Sequence, residues 1–253
     1  MAADRESVAL VTGGSGIAAA TLRLLAGEGH RLACVDRSDQ NLAALSAELP
    51  DLLTIEADLT EKGSADRAVA ETLARFGRLD ILVNVVGISG RRFGDGPAHE
   101  CTDEGWDAVM DTNAKTTLAM CRAALRPMMA AKSGSIVNTA SVLGYAPSAL
   151  FATHAYAASK AAIIGLTRAM AAYYTTHGIR VNAVAPGLIE TPMSLRAQSD
   201  ETTIQYMKIR QPLTGRFGKA DDVAEAIAYL ATDRAGFVTG SVLEVAGGWG
   251  VAG

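Results

Sequence analysis

Cysteine is scarce in this chain: Cys34, Cys101 and Cys121 are odd in number, far apart and outside any paired-thiol motif. This pattern supports neither a disulfide framework nor a cysteine zinc site, and it fits a reducing, cytoplasmic setting. His30, His99, His154 and His177 show no metal-ligand spacing, so no metal site is expected. His154 reads as a hydrogen-bonded structural residue, and Met128-Met129 as core. Excess positive charge is missing too; the formal net charge is -4, which gives no footprint for nucleic acid. The charged start Met1-Ala2-Ala3-Asp4-Arg5-Glu6 runs straight into strand-forming residues, leaving no room for the apolar core of a signal peptide. We see no internal repeat, low-complexity tract or linker. At 253 residues, 49% hydrophobic and 20% charged, a single large α/β domain is expected.

One absence is local. From Ser133 to Ser159 there is no Asp, Glu, Lys or Arg. The stretch is long enough to cross a bilayer, but a membrane helix would have to bury Asn138, Ser141, Gly144, Pro147, Ser148 and His154, so no membrane span is expected. Directly after it stands Lys160, four residues beyond Tyr156. That spacing puts an ammonium one helical turn from a phenol. A phenol titrates near ~10, and a neighbouring cation favours the phenolate, so the pair can trade protons closer to neutral pH. Ser141 follows the apolar run Ser135 to Ala140, which reads as a buried strand ending in a hydroxyl. Ser141, Tyr156 and Lys160 together would hold a carbonyl or carbinol oxygen. Taken alone, the pair fits equally well a half-buried tyrosine beside a solvated lysine.

The rest of the chain bears on that choice. Ser7 to Val11 reads as a strand, followed by Thr12-Gly13-Gly14-Ser15-Gly16 and a helical pattern through Leu25. Glycines let a backbone approach a pyrophosphate, and the helix start offers free amides. The next strand, Arg31 to Val35, ends at Asp36, twenty residues after Gly16. A carboxylate there accepts hydrogen bonds from both adenosine ribose hydroxyls and repels a 2′-phosphate, which predicts NAD over NADP. Arg37 is the opposing residue, able to pair with a 2′-phosphate if turned inward.

Alternation continues: a helix from about Asp39 to Leu49, a strand Leu52 to Glu56 and then Asp58, a helix from about Glu61 to Phe76, and a strand Asp80 to Asn84. A glycine-rich loop carrying Arg91-Arg92, read as a solvated pair, leads to one long helix from Asp103 to about Ala131 with Asn113 in its middle. Then come the Ile136 strand, the Tyr156 helix, and a strand from Ile179 to Val184 that breaks at Pro186-Gly187. After an irregular region from 188 to 215, a helix from about Ala220 to Ala231 and a strand Ser241 to Val245 follow. Such alternation predicts a parallel sheet covered by helices on both faces. Right-handed crossovers then bring Gly13, Asp36, Asn84, Ser141 and Pro186 to one sheet edge. The irregular region, with apolar residues at Ile204, Met207 and Ile209, is expected to form a mobile lid with a short helix whose buried face those residues make.

In this order the motifs resemble the short-chain dehydrogenase/reductase family from Val8 to Gly248. The resemblance implies a Rossmann-type doubly wound parallel sheet, a single domain, a nicotinamide cofactor and a homotetramer. It implies Tyr156 as general acid/base, Lys160 as the cation that lowers its pKa and holds the nicotinamide ribose, and Ser141 on the substrate oxygen. Asn113 would anchor a water that relays protons to Lys160. Gly13, Ser15, Gly16 and Ile17 would contact the pyrophosphate side, Asp36 the adenosine ribose, Asp58 and Leu59 the adenine, and Asn84 and Gly87 the ribose region. Pro186, Gly187, Ile189 and Thr191 would flank the nicotinamide. Three departures stand out. The glycine turn is one residue shorter than T-G-x-x-x-G-x-G and ends in Ala18; Asn84-Val85-Val86-Gly87 replaces N-N-A-G; and Ala246-Gly247-Gly248 replaces D-G-G.

The expected activity is NAD-dependent hydride transfer between nicotinamide and a secondary alcohol or ketone. Alternatives are a catalytically silent cofactor-binding regulator or scaffold, and an epimerase or lyase on the same fold. Simple secondary alcohols, sugars or polyols, and 3-hydroxyacyl thioesters are all open as substrates.

Overall fold

In a computed structural model the described residues are 6–251. The charged start, Met1 to Arg5, lies outside them. The strands β1 (Val8–Thr12), β2 (Arg31–Asp36), β3 (Leu53–Glu56) and β4 (Ile81–Asn84) are separated by the helices α1 (Ile17–Gly27), α2 (Asp39–Glu48) and α3 (Ser64–Phe76). Next come α4 (Asp103–Met110), α5 (Thr116–Ala131), β5 (Gly134–Thr139), α6 (His154–Tyr174) and β6 (Ile179–Pro186). The chain continues through α7 (Leu195–Gln198), α8 (Glu201–Arg210) and α9 (Ala220–Ala231) to β7 (Val242–Val245).

The strands form one seven-stranded sheet in the order β3-β2-β1-β4-β5-β6-β7, parallel throughout. Apolar runs make this possible. All five residues of β1 are buried, as a strand covered on both faces requires. Alternate side chains serve opposite layers: Ala9 and Val11 pack towards α1, α2 and α9, with Leu22, Leu45 and Ile227, while Leu10 packs towards α3, α5 and α6, with Ala68, Met128 and Met170. Full burial of a leucine such as Leu10 or Leu82 contributes about 1.5–3 kcal/mol. The order reverses between β1 and β4, so the strand ends diverge there and open a crevice.

Several boundaries differ from expectation, and two differences matter for the site. The long helix after the glycine-rich loop is not uniform: residues Asp111–Lys115 are wound as a π-segment between α4 and α5. The wider turn lets Asn113 point inward, where it is fully buried. In the region 188–215, α8 buries Thr203 and Met207, one turn apart, whereas Ile209 is 60% exposed. The expected face of Ile204, Met207 and Ile209 is therefore replaced by one centred on Met207, with Ile204 and Tyr206 half-buried beside it.

Both ends of that region are pinned. Ile189 and Gly218 form a parallel bridge, and the Gln211 side chain, 2% exposed, accepts from the Leu188 amide at 2.6 Å and donates to the Leu188 and Arg216 carbonyls. Among the described residues no helix is long and apolar enough to cross a membrane.

Candidate active site

A cleft of about 1000 Å³ runs along the C-terminal strand ends. Its adenosine end is built on β1 and β2. Gly13 (φ 95°) and Gly16 (φ 53°) adopt left-handed conformations, which a turn this tight requires. The Cys34 thiol, pushed up to about 12 by burial, donates to the Gly13 carbonyl and steadies the turn. The α1 N-terminus has no side-chain cap and no acidic residue in its first turn, so its amides remain available to an anion. The shortened turn is closed by the Asp36 carboxylate, which reaches across and accepts from the Gly14 amide at 2.5 Å, with its other oxygen accepting from Ser38 at 2.7 Å. The oxygen held by Gly14 also accepts from the Asn41 side-chain amide at 3.5 Å, so the lone pair still open is on the oxygen that Ser38 holds. Arg37 leans away, its guanidinium 4.0 Å from Asp58. The Thr60 hydroxyl and amide, helped by Arg37, hold the Asp58 carboxyl below its ordinary range.

The other end gathers Ser141, Tyr156 and Lys160. Ser141 leaves β5 in extended geometry, and the turn after it packs hard on α6: a Cβ on Gly144 would lie 2.9 Å from the Ala161 nitrogen and the Lys160 carbonyl carbon. Glycine thus lets the serine loop close over the helix that carries Tyr156. The Lys160 ammonium, 4% exposed, donates to the Thr139 carbonyl at 2.8 Å and lies 5.6 Å from the Tyr156 ring centre. Burial lowers its pKa to about 8. For Tyr156, burial raises the phenol above its ordinary value, and the Ser141 hydroxyl offsets this only in part. The desolvation of the ring outweighs its neighbours in the free protein.

Asn113 does not line the cleft. Its side chain accepts from the Ile88 amide at 2.8 Å and donates to the Ile88 carbonyl and the Ser159 hydroxyl, tying β4's following loop to α6. Gly87 fits between these groups, since a Cβ there would lie 3.1 Å from Asn113 Oδ1 and 3.5 Å from Lys160 Nζ. Asn84 also stays off the cleft. It is 4% exposed and donates to Asn138 at 2.9 Å and to the Cys121 sulfur, so it braces β4 against β5 and α5 instead of facing a ribose. The other predicted residues, Gly13, Ser15, Gly16, Ile17, Asp36, Asp58, Leu59, Gly87, Ser141, Tyr156, Lys160, Pro186, Gly187, Ile189 and Thr191, all line it. His154 does not, and accepts from the Ala98 amide as a structural histidine does. Arg91 and Arg92 are exposed at the mouth.

Two residues escaped the sequence reading. Thr153 gives α6 no side-chain cap; Asp95, 7% exposed and about sixty positions upstream, accepts from the Ala155 and Tyr156 amides at 3.0 Å each. Gly90 makes room for it, because a Cβ there would sit 2.8 Å from the carboxylate. The glycines around Asp95 were the available signal. Trp249, after Gly247-Gly248, lines the cleft from the C-terminal side. The residues present fit a dinucleotide: open helix amides, a carboxylate at the end of β2 with an oxygen still able to accept, and a buried Thr139 hydroxyl on the cleft wall with no partner among the described residues.

The chain is similar to known proteins over nearly its whole length. The family model described as "Enoyl-(Acyl carrier protein) reductase" matches residues 11–250. A cis-4-hydroxycyclohexanecarboxylate dehydrogenase of Sinomonas cyclohexanicum is 41% identical over 249 residues, covering 96% of each chain. The 3-oxoacyl-(acyl-carrier-protein) reductase FabG of Thermotoga maritima is 38% identical, covering 95% of this chain and 96% of its own. Among solved structures, levodione reductase superposes with a TM-score of 0.90 at 33% identity, covering 99% of this chain and 100% of its own. ElxO with NADP bound gives 0.87 at 28% identity, covering 97% and 99%.

Two predictions test the site's physics. Asp95→Ala leaves the first amides of α6 without an acceptor, so Tm is expected to fall by about 2–8 °C, the scale of a lost helix cap, with faster amide exchange at Ala155 and Tyr156. Exchange at wild-type rates would show that Asp95 does not hold the helix start. Lys160 titrates at about 8 when folded and near 10.5 when unfolded, so between those values the unfolded chain binds more protons and stability rises with pH. The Tm advantage of Lys160→Met over wild type is therefore expected to be largest at pH 7 and to shrink from about pH 8 upward. An advantage that does not change with pH would show that the ammonium is not desolvated.

Proposed function

The chain belongs to the short-chain dehydrogenase/reductase family of oxidoreductases, and we propose that it transfers hydride between NAD and a secondary alcohol or ketone. The observation that carries this reading is the convergence of Ser141, Tyr156 and Lys160 on the cleft that also holds the Gly13 turn and Asp36. A nicotinamide dinucleotide, when bound, supplies the hydride donor or acceptor. The remaining work belongs to side chains. Ser141 donates a hydrogen bond to the substrate oxygen and steadies negative charge as it develops there. Tyr156 gives its proton to that oxygen in reduction and takes it back in oxidation. Lys160, held to the Thr139 carbonyl, keeps a positive charge next to the phenol, which favours the phenolate once bound groups complete the site. Asn113 holds the Ile88 backbone and Ser159 in place, and so keeps the helix bearing Tyr156 and Lys160 in register with β4.

NAD preference is supported by Asp36, whose carboxylate opposes a 2′-phosphate, and by Arg37, which leans towards Asp58. A relative in this fold binds NADP, so the comparison of cofactors is a genuine test. With an alcohol panel, kcat/KM is expected to be higher for NAD than for NADP, and Tyr156→Phe to keep NAD affinity while losing at least ~10² in turnover. A preference for NADP would show Arg37 prevailing over Asp36. Near-wild-type turnover of Tyr156→Phe would remove the mechanism.

The region 188–215 is proposed as a mobile lid over the nicotinamide end. Its support is contact: a Cβ on Gly16 would lie 3.1 Å from Thr191, so the lid base abuts the phosphate turn. Met193, 51% exposed, lines the cleft from the lid. Closure would exclude water from the hydride path. NAD with substrate is expected to protect the bonds between Thr191 and Arg210 from limited proteolysis. Equal cleavage with and without ligands would make this a static surface segment.

A further inference from the structure

We infer that the substrate carries an alicyclic or aryl skeleton, and that Phe151 and Trp249 determine this specificity; the inference rests on the hydride-transfer reading and names its substrate class. The substrate oxygen is fixed by Ser141 and Tyr156, so its carbon substituents must lie against whatever walls that end. From Ser141 the chain passes through two short 3-10 turns, Val142–Gly144 and Ala149–Phe151, before α6 begins. These turns turn Leu143, Leu150 and Phe151 to the cleft.

The end of the chain backs this wall. Gly247 (φ 57°) and Gly248 (φ 100°) bend the backbone so that Trp249, 1% exposed, drops against Phe151 with ring centres 6.0 Å apart. Tyr206 of α8 closes the triangle, 6.3 Å from Phe151 and 5.9 Å from Trp249. The Arg210 guanidinium, 5.3 Å from the Trp249 ring centre, braces the indole further. The three rings pack on one another, and Tyr206 is the one that the lid region contributes.

Its polar handles are engaged elsewhere. Trp249 Nε1 donates to the Ala146 carbonyl at 3.1 Å, and the Tyr206 hydroxyl accepts from Ser148 at 2.8 Å. The arginines that line the cleft, Arg37 at the adenosine end and Arg91, Arg92 and Arg196 elsewhere on its rim, are all exposed. A polyol bound here would bury hydroxyls against carbon, each unpaired hydroxyl costing on the order of tenfold in kcat/KM. A preformed ring fills the same space without freezing rotors and places its C–H edges on aromatic faces.

The test compares cyclohexanol, sorbitol and the N-acetylcysteamine thioester of 3-hydroxybutyrate, each with NAD, in wild type and Phe151→Ala. Cyclohexanol is expected to exceed sorbitol by at least ~10² in kcat/KM, and Phe151→Ala to lose about tenfold on cyclohexanol with NAD affinity unchanged. Trp249→Phe keeps the wall aromatic and is expected to lose less. Sorbitol or the thioester matching cyclohexanol would overturn the inference while leaving hydride transfer intact. If none of the three yields NADH, hydride transfer to these alcohols fails, and calorimetric titration of NADH-loaded protein judges the wall by itself. Cyclohexanone binding at least tenfold tighter than fructose is then expected, and equal or reversed affinities overturn the inference.

Discussion

Burying the Lys160 ammonium is the constraint around which this end of the molecule is arranged. An isolated buried cation is costly, and in the free protein Lys160 has one carbonyl, that of Thr139, as a hydrogen-bond partner. The carbonyl is available there because β5 ends at Thr139 and the chain peels away towards Ser141. The helix must then lie close enough for the ammonium to reach. Gly144 allows that approach, since a side chain there would collide with the lysine's own turn, while a Cβ on Gly87 would press on Asn113 Oδ1 beside the ammonium. The low pKa of Lys160 and the raised pKa of Tyr156 have the same origin, removal of both groups from water.

Much of this was legible in the sequence because the chemistry sits where secondary structure changes. Strand-to-loop transitions are marked by apolar runs ending in Gly, Asp, Asn or Ser, and the parallel sheet carries every such end to one edge. Gly13, Asp36, Ser141 and Pro186 were therefore found by position alone, and Tyr156 and Lys160 by helical spacing. What spacing does not encode is which way a side chain turns at the last strand residue. Asn84 sits in register opposite Asn138, and the pairing of the two amides wins over the cleft. Nor does periodicity reveal a π-turn, which changes the facing of Asn113 without altering composition. The outward turn of Ile209 has a similar cause: α8 docks through Thr203 and Met207, and nothing in the local apolar count says so.

Long-range capping was equally hidden. A helix start is usually read from the residues just before it, yet α6 borrows its cap from a loop that precedes α4 and α5. The loop from Gly90 to Thr102 thus has an architectural task in addition to rimming the cleft. Its glycines serve that task, letting Asp95 sit against a backbone that any Cβ at Gly90 would obstruct. The same region places Arg91 and Arg92 at the mouth, so the cap and the rim are properties of one short segment.

The clamp of Gln211 on Leu188 has a consequence for how such a chain can diversify. Because the two residues are hydrogen-bonded to each other through amide, carbonyl and side chain, the stretch between them is an insert whose two ends are already joined at the sheet. Loop-closure entropy grows slowly with length, about 0.6 kcal/mol per doubling, so the insert can lengthen, shorten or be exchanged at little cost to the helix layers on either side of the sheet. The scaffold and its proton-handling groups form one heritable part and the insert another, spliced together at a single glutamine.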